Sequence, residues 1–239
     1  MPRFHAACPL HLGQTLALPA DTARHVQVLR LQPGDELELF NGLGGSFKAK
    51  VLQMGRQQVE VEVFSHDPAE RESACHTQIV MGMPANERMD WLVEKATELG
   101  VAQITPVMTQ HTVLRLSGER GLKRQQHWQG IAQASCAQSG RNRVPLIDAP
   151  QPLSDWLKAL PAAQDASRVL LSLHPSARAW RGMWGQSTPN KLMLLSGPEG
   201  GLSAEEEALA LTLGFQAAHL GARVLRSETA PLAVLAQLL

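Results

Sequence analysis

Between Leu194 and Thr229 the chain reads Leu-Leu-Ser-Gly-Pro-Glu-Gly-Gly-Leu-Ser-Ala-Glu-Glu-Glu, then a helix-like run, then Leu-Gly-Ala-Arg-Val-Leu-Arg-Ser-Glu-Thr. Two glycine-bearing turns, Gly197 to Gly201 and Leu220 to Arg226, each follow an apolar strand-like run. With few side chains in the way, such turns offer bare backbone N–H and C=O groups to one small ligand. The flanking Leu194, Leu195, Leu202, Leu220, Val224 and Leu225 are apolar. That surface suits a flat adenine ring and a thioether, leaving peptide groups to hydrogen-bond ring nitrogens and ribose. No Lys-Ser/Thr follows Gly197–Gly201, and no Gly-x-Gly-x-x-Gly opens a helix, so a phosphate-led nucleotide site is disfavoured. Taken alone, the first loop also reads as a tight turn ahead of a capped helix. Two such turns at consecutive strand ends favour a ligand, because open α/β sheets bind ligands beyond the carboxyl ends of their strands.

The elements that must hold these turns change character near residues 65 to 75. Before that point the chain is short-stranded: Thr15-Leu-Ala-Leu, His25-Val-Gln-Val-Leu-Arg-Leu, Glu36-Leu-Glu-Leu-Phe, Phe47-Lys-Ala-Lys-Val-Leu and Gln58-Val-Glu-Val-Glu-Val-Phe. Polar–apolar alternation in three of them predicts strands with one wet face, and five such segments predict a small barrel. Ser65 to Ser73 reads as a polar linker. Beyond it, strands over Thr77–Met83, Ile104–Met108, Val169–Leu173, Leu192–Leu195 and Phe215–Leu220 alternate with helices over Met89–Leu99 and Gly121–Ser139. That order predicts an α/β domain with a largely parallel sheet. Ser203-Ala-Glu-Glu206 is a capping box, and Ser227 or Thr229 is placed to cap a last helix with Pro231 in its first turn. The division predicts domains at 1–70 and 71–239.

Composition narrows the function classes. The 22 basic and 22 acidic residues cancel, against a protein that coats nucleic acid by its overall field. Locally, Arg115, Arg120, Lys123, Arg124, Arg141 and Arg143 stand between His111 and Arg143 with Glu119 as the only acid. Such a cluster can neutralise phosphates, or it can be a solvated helix face with its flanking loops. Cys8, Cys75 and Cys136 are too few and too scattered for a disulfide framework or a zinc site. The histidines lack metal-ligand spacing, and neither His-Glu-x-x-His nor Gly-x-Ser-x-Gly occurs. No metal is therefore expected. The apolar runs are too short to cross a bilayer, and the N-terminus lacks a signal peptide's apolar stretch, which together predict a cytoplasmic protein.

Five motifs in one order carry a family likeness: Lys95-Ala-Thr-Glu-Leu-Gly-Val101, Ser139-Gly-Arg-Asn-Arg-Val-Pro145, Gly197-Pro-Glu-Gly-Gly201, Leu220-Gly-Ala-Arg-Val-Leu-Arg226 and Glu228-Thr-Ala230. With the opening Met1-Pro-Arg-Phe4 they make the chain resemble, nearly end to end, the bacterial ribosomal RNA small subunit methyltransferase E family of the SPOUT class. The resemblance implies an N-terminal PUA-like β-barrel, a C-terminal SPOUT domain whose chain end forms a trefoil knot, and a homodimer. It implies S-adenosylmethionine-dependent methylation of uridine N3 in 16S ribosomal RNA or the small subunit. It places the cofactor among Leu173, Ser196, Gly197, Gly200, Gly201, Leu220, Gly221, Val224 and Leu225. Two departures stand out: Ala137 occupies a position where an acid commonly precedes Gln-Ser-Gly-Arg, and His5 follows Phe4 where a second phenylalanine is common.

The implied reaction sets a chemical requirement. Uracil N3 keeps its proton at neutral pH and is a poor nucleophile, so transfer needs a base near N3 or cations that favour the uracil anion. On that requirement Arg226 stabilises charge developing on O2 or O4, and Glu228 orients it or accepts the proton. Both residues have a second reading, as braces of the last helix. Arg3, Arg141 and Arg143 are the expected RNA contacts, with a dimer-interface place as the alternative for Arg141. Two competing functions stay open here: a related knotted methyltransferase acting on transfer RNA or a ribose 2′-hydroxyl, and an RNA-binding module without catalysis.

Overall fold

The computed structural model describes residues 1–56, 58–85, 87–161, 166–184 and 189–239. The chain divides into two compact units, Met1–Glu72 with Gln133–Val144, and Ser73–Ala132 with Pro145–Leu239.

In the first unit, β1 (Arg3–His5), β2 (Thr15–Ala17), α1 (Ala20–Val28), β3 (Glu36–Phe40), β4 (Ser46–Met54) and β5 (Val59–Asp67) follow one another. The sheet runs β1-β3-β4-β5-β2, with β1 and β3 parallel and the other neighbours antiparallel. Alternation in sequence becomes alternation in space. Phe47, Ala49, Val51, Val59, Val61 and Val63 turn into one apolar cluster while Lys48, Lys50 and Glu62 face out. Each buried valine contributes about 1.5–3 kcal/mol of transfer free energy.

Two expectations fail here. His25–Leu31 is no strand: α1 begins after Pro19 and buries Thr22, Ala23 and Val26 at helical spacing, leaving Val28 and Leu29 exposed. The period-two pattern of Val26 and Val28 was overridden by a helix start set upstream, where Pro19 takes the N-cap and Thr22 Oγ donates to the His5 carbonyl at 2.8 Å. Nor is Ser65–Ser73 wholly a linker, because Ser65 to Asp67 finish β5. The polar residues after it are tied down: Glu70 accepts from the Gly45 amide at 2.8 Å, Asn142 donates to the Ala69 carbonyl at 2.8 Å, and Glu72 pairs with Arg141.

In the second unit the order is β6 (His76–Gly82), α2 (Arg88–Glu98), β7 (Gln103–Met108), α3 (Gly118–Ser139), β8 (Leu146–Ile147), β9 (Gln151–Pro152), α4 (Leu153–Lys158), β10 (Ser167–Leu171), β11 (Arg178–Ala179), β12 (Lys191–Ser196), α5 (Ala204–Thr212), β13 (Gln216–His219) and α6 (Thr229–Leu235). From Gln133 onward α3 counts with the first unit. The sheet runs β11-β13-β10-β12-β6-β7-β8, with β9 beside β7, and every pair in it is parallel. Its central strands are buried along most of their length, as a sheet covered on both faces requires. Leu153, Trp156 and Leu157 of α4 pack with Leu170, Leu195, Ala210 and Phe215 in one core cluster, and α6 returns against α2 and β12.

At the last helix the N-cap is Glu228, with no side-chain cap, rather than Ser227 or Thr229; Pro231 does fall in the first turn. The amides of Thr229 and Ala230 both donate to the Arg226 carbonyl, at 2.9 and 3.1 Å, so backbone does the capping. Cys75 and Cys136 are buried thiols, and burial pushes Cys136 up to about 11. Among the described residues no helix is long and apolar enough to cross a membrane.

Candidate functional site

Past the carboxyl ends of β10, β12 and β13 opens a cleft of about 200 Å³. It lies where a strand order that doubles back leaves a gap between loops. Leu173, Ser196, Gly197, Gly201, Leu220, Gly221, Val224 and Leu225 line it. Gly200 does not. Its Cα turns the other way, so that a Cβ there would stand 2.9 Å from the His111 Cβ.

The first loop is fixed from several sides. A Cβ on Gly197 would meet the Gly201 carbonyl carbon and the Leu202 nitrogen at 2.8 Å, so the loop folds back on itself only with glycine there. The Gly201 amide closes the turn on the Pro198 carbonyl at 2.9 Å, and Gly201 sits at φ +72. The expected capping box then starts α5. The Glu206 amide donates to Ser203 Oγ at 3.2 Å, and the Ser203 amide donates to the Glu206 carboxylate at 2.9 Å. Gly82, at the end of β6, admits this loop: a Cβ there would lie 2.5 Å from Pro198 Cδ and 2.7 Å from its nitrogen. The second loop turns at Gly221, φ +130, whose amide donates to His219 Nδ1 at 3.2 Å.

Arg226 and Glu228 stand off the cleft lining, although Ser227 and Ala230 reach it. Arg226 is exposed. Glu228 is buried, takes a 3.1 Å hydrogen bond from Ser227 Oγ, and lies 3.9 Å from Arg88 Nε. The cation nearest Glu228 is thus Arg88 of α2. That guanidinium also donates to Glu199 at 2.9 Å, and the Ala85 amide donates to the same oxygen at 2.9 Å. One arginine on α2 thus links the Gly197–Gly201 loop to the residue that starts α6. Arg88→Met is expected to lower unfolding free energy by about 1–3 kcal/mol, because it strands a buried carboxylate; urea midpoints of the two proteins measure it.

The expected RNA-contacting arginines part company. Arg3 is spent inside the first unit: Nε on Glu38 at 3.1 Å, Nη1 on the Cys136 carbonyl at 2.6 Å, Nη2 on Asn142, and the guanidinium carbon 4.2 Å from the Phe40 ring centre. Arg141 is buried against Glu72. Only Arg143 presents its side chain outward, 58% exposed and 3.8 Å from Glu70. The first two are surrounded because the 133–144 segment packs in the unit where Arg3 begins the sheet, a pairing across more than a hundred residues that no local pattern signals.

Several cleft residues escaped sequence reasoning. Glu207 and Ser172 face the cleft, with Ser172 Oγ donating to both carboxylate oxygens at 3.2 Å; His219 and Arg223 also line it. Glu207 was hidden in Glu205–Glu207, a run whose ordinary meaning is charge complementing a helix start. Gly82 and Arg88 lie outside the glycine-rich stretches and gave no signal of their own. Among the described residues no group of three or more His, Cys, Asp or Glu side chains is placed to hold a metal ion.

Comparison with known proteins gives the same picture. A family model described as an RNA methyltransferase domain matches residues 71–239, and one described as an RNA methyltransferase PUA domain matches residues 18–64. A crystal structure of a ribosomal RNA small subunit methyltransferase E from Neisseria gonorrhoeae, bound to S-adenosylmethionine, is 36% identical with a TM-score of 0.90, covering 99% of this chain and 96% of that one. A protein from Legionella pneumophila, solved in complex with the same cofactor, is 33% identical with a TM-score of 0.89, over 99% of this chain and 96% of its own. The ribosomal RNA small subunit methyltransferase E of Buchnera aphidicola is 28% identical over 100% of this chain and 95% of its own length. With an RNA methyltransferase domain over most of its length and a PUA domain before it, the chain belongs to the ribosomal RNA small subunit methyltransferase E family.

Proposed function

We propose that this protein binds S-adenosylmethionine in the cleft beyond β10, β12 and β13 and methylates N3 of a uridine in 16S ribosomal RNA of the small subunit. The observation that carries the reading is the pair of glycine turns lining one cleft, where Gly197 stands at a place any Cβ would fill. The residues fit the cofactor. Leu202, Leu220 and Leu225 offer apolar walls, and the backbone of Gly197, Gly201 and Gly221 offers hydrogen-bonding groups. Leu173, Ser196 and Val224 complete the set, and Gly200 serves it from behind by seating His111. The bound cofactor supplies an activated methyl on a sulfonium.

What the chain supplies is position, dryness and charge. Arg226 is the cation for O2 or O4 of the pyrimidine. Glu228, buried beside Arg88, holds the Arg226–Thr229 turn in place; a direct proton transfer to it would require it to reach the cleft. Arg143 meets RNA from the first unit, while Arg3 and Arg141 brace the segment that carries it. The family likeness supports a homodimer with a knotted, threaded tail, and the return of α6 against α2 and β12 suits that threading.

Incubating the protein with labelled S-adenosylmethionine and either naked 16S RNA or small subunits lacking the modification tests the reading. Label in 3-methyluridine supports it. Label in transfer RNA or in a ribose 2′-O-methyl group would move the chain to another substrate, and absence of calorimetric cofactor binding would leave an RNA-binding module.

A further inference from the structure

The cations ahead of and along α3 make few contacts inside the fold. Arg115, Arg120, Lys123 and Arg124 line one open groove with Leu114 and Leu116, and all four basic residues are exposed. Glu119 pairs with Lys123 at 2.7 Å, one turn apart on the outside of the helix, where such a pair contributes little. Among the described residues, Arg115, Arg120 and Arg124 have no acidic side chain within ion-pair distance. Arg120 and Arg124 stand about 6 Å apart along the helix axis, one turn on the same face. Past Arg124 the surface meets Glu87, Arg88 and Asp90, so acidic side chains border the cations at that end.

The groove is anchored to the loop of the candidate cofactor site. The turn Thr109–Thr112, buried at its two threonines, closes on itself, with the Thr109 amide donating to Thr112 Oγ at 3.0 Å. From it, the Gln110 amide donates to the Glu206 carboxylate at 2.8 Å, and His111 Nδ1 lies 3.2 Å from the Gly201 carbonyl oxygen. Arg115 Nη2 donates back to the Gln110 carbonyl at 3.4 Å. Gly200 gives up its side chain to make room for His111. The turn that leads into the groove therefore touches the Gly197–Gly201 loop.

We propose that the groove of Arg115, Arg120, Lys123 and Arg124 takes the phosphate backbone of the RNA substrate, a contact surface on the methyltransferase domain itself. The groove is open, and cations outnumber its two leucines with no aromatic platform among them, so it reads backbone and not base. The apolar edge of Leu114 suits sugar faces between phosphates. This rests on the RNA methyltransferase reading but is separable from it.

The test uses the full-length protein with all four residues changed to glutamine, and a second protein with Arg115→Lys, Arg120→Lys and Arg124→Lys. The glutamine protein is expected to bind 16S RNA at least ~10-fold more weakly, and its log-affinity against log-salt slope should fall by up to about 3, near 0.7 per phosphate contact. Its affinity for S-adenosylmethionine by calorimetry should be unchanged, its KM for RNA raised, and its kcat at saturating RNA kept. The lysine protein should stay within a few-fold of wild type. Unchanged RNA affinity and salt slope would overturn the proposal. So would a joint loss of cofactor and RNA affinity, which indicates bracing, or weakening only on assembled subunits, which indicates a ribosomal protein as the partner. If the wild type fails to bind the cofactor while the glutamine protein still loses RNA, the groove stands and the proposed reaction falls.

Discussion

Gly82→Ala is expected to cut affinity for S-adenosylmethionine at least tenfold and to destabilise the fold by about 1–3 kcal/mol, the cost of forcing an extra carbon into packed surroundings. Gly82 does not sit at positive φ; the glycine is there for space. The added Cβ would meet the Pro198 ring, the Pro198 nitrogen and the Gly197 carbonyl carbon at 2.5 to 3.0 Å, and none of these is the movable end of a side chain. The loop Gly197–Gly201 must then lift away from β6. It would lose the Ala85 and Arg88 hydrogen bonds to Glu199, both 2.9 Å, that hold it down. Calorimetry with the cofactor and a urea titration measure the two effects. A protein that binds the cofactor as wild type does would show that the crossing at Gly82 does not set the cleft.

Arg226→Ala is expected to lower kcat about 100-fold or more with little change in cofactor affinity, the pattern for a group that acts only on charge developing in the transition state. Arg226 is exposed and off the lining of the cleft, so its loss should leave the cofactor's walls in place. Glu228→Gln should behave differently. Its carboxylate is buried near Arg88 and accepts from Ser227, so the amide weakens a brace: melting temperature falls and cofactor affinity falls along with rate. Single-turnover methyl transfer with both proteins separates the two outcomes. Near-normal rates in both would remove both residues from the mechanism. A rate lost in Glu228→Gln with stability and cofactor affinity intact would return the proton-acceptor role to Glu228.

Local regularity decided how much of this architecture was legible in advance. The parallel core strands were readable because apolar runs such as Leu192–Leu195 sit between polar turns, and the capping box at Ser203 carries its start signal within four residues. The first glycine of the loop after β12, Gly197, was readable for the same reason: sequence neighbours fold back on one another. His25–Leu31 misled because two valines at period two resemble a strand, whereas the helix was set by Pro19 and by Ala23 and Val26 packing inward. Arg3 and Arg141 read as free cations because their partners, Asn142 for one and Glu72 for the other, are 139 and 69 positions away. Glu207, Gly82 and Arg88 share that character. Each matters through something distant in the chain, and periodicity carries no information about distant partners.

The crossing at Gly82 also fixes when the cleft can exist. Its first loop is shaped by Pro198 against Gly82 and by Glu199 against Ala85 and Arg88, contacts that span more than a hundred positions, and its far wall is the 220–225 segment near the carboxyl terminus. Contacts so far apart in sequence close late. A nascent chain on the ribosome has its first unit's β-sheet complete while nearly the whole methyltransferase domain is still untranslated, so the growing chain has no pocket to occupy.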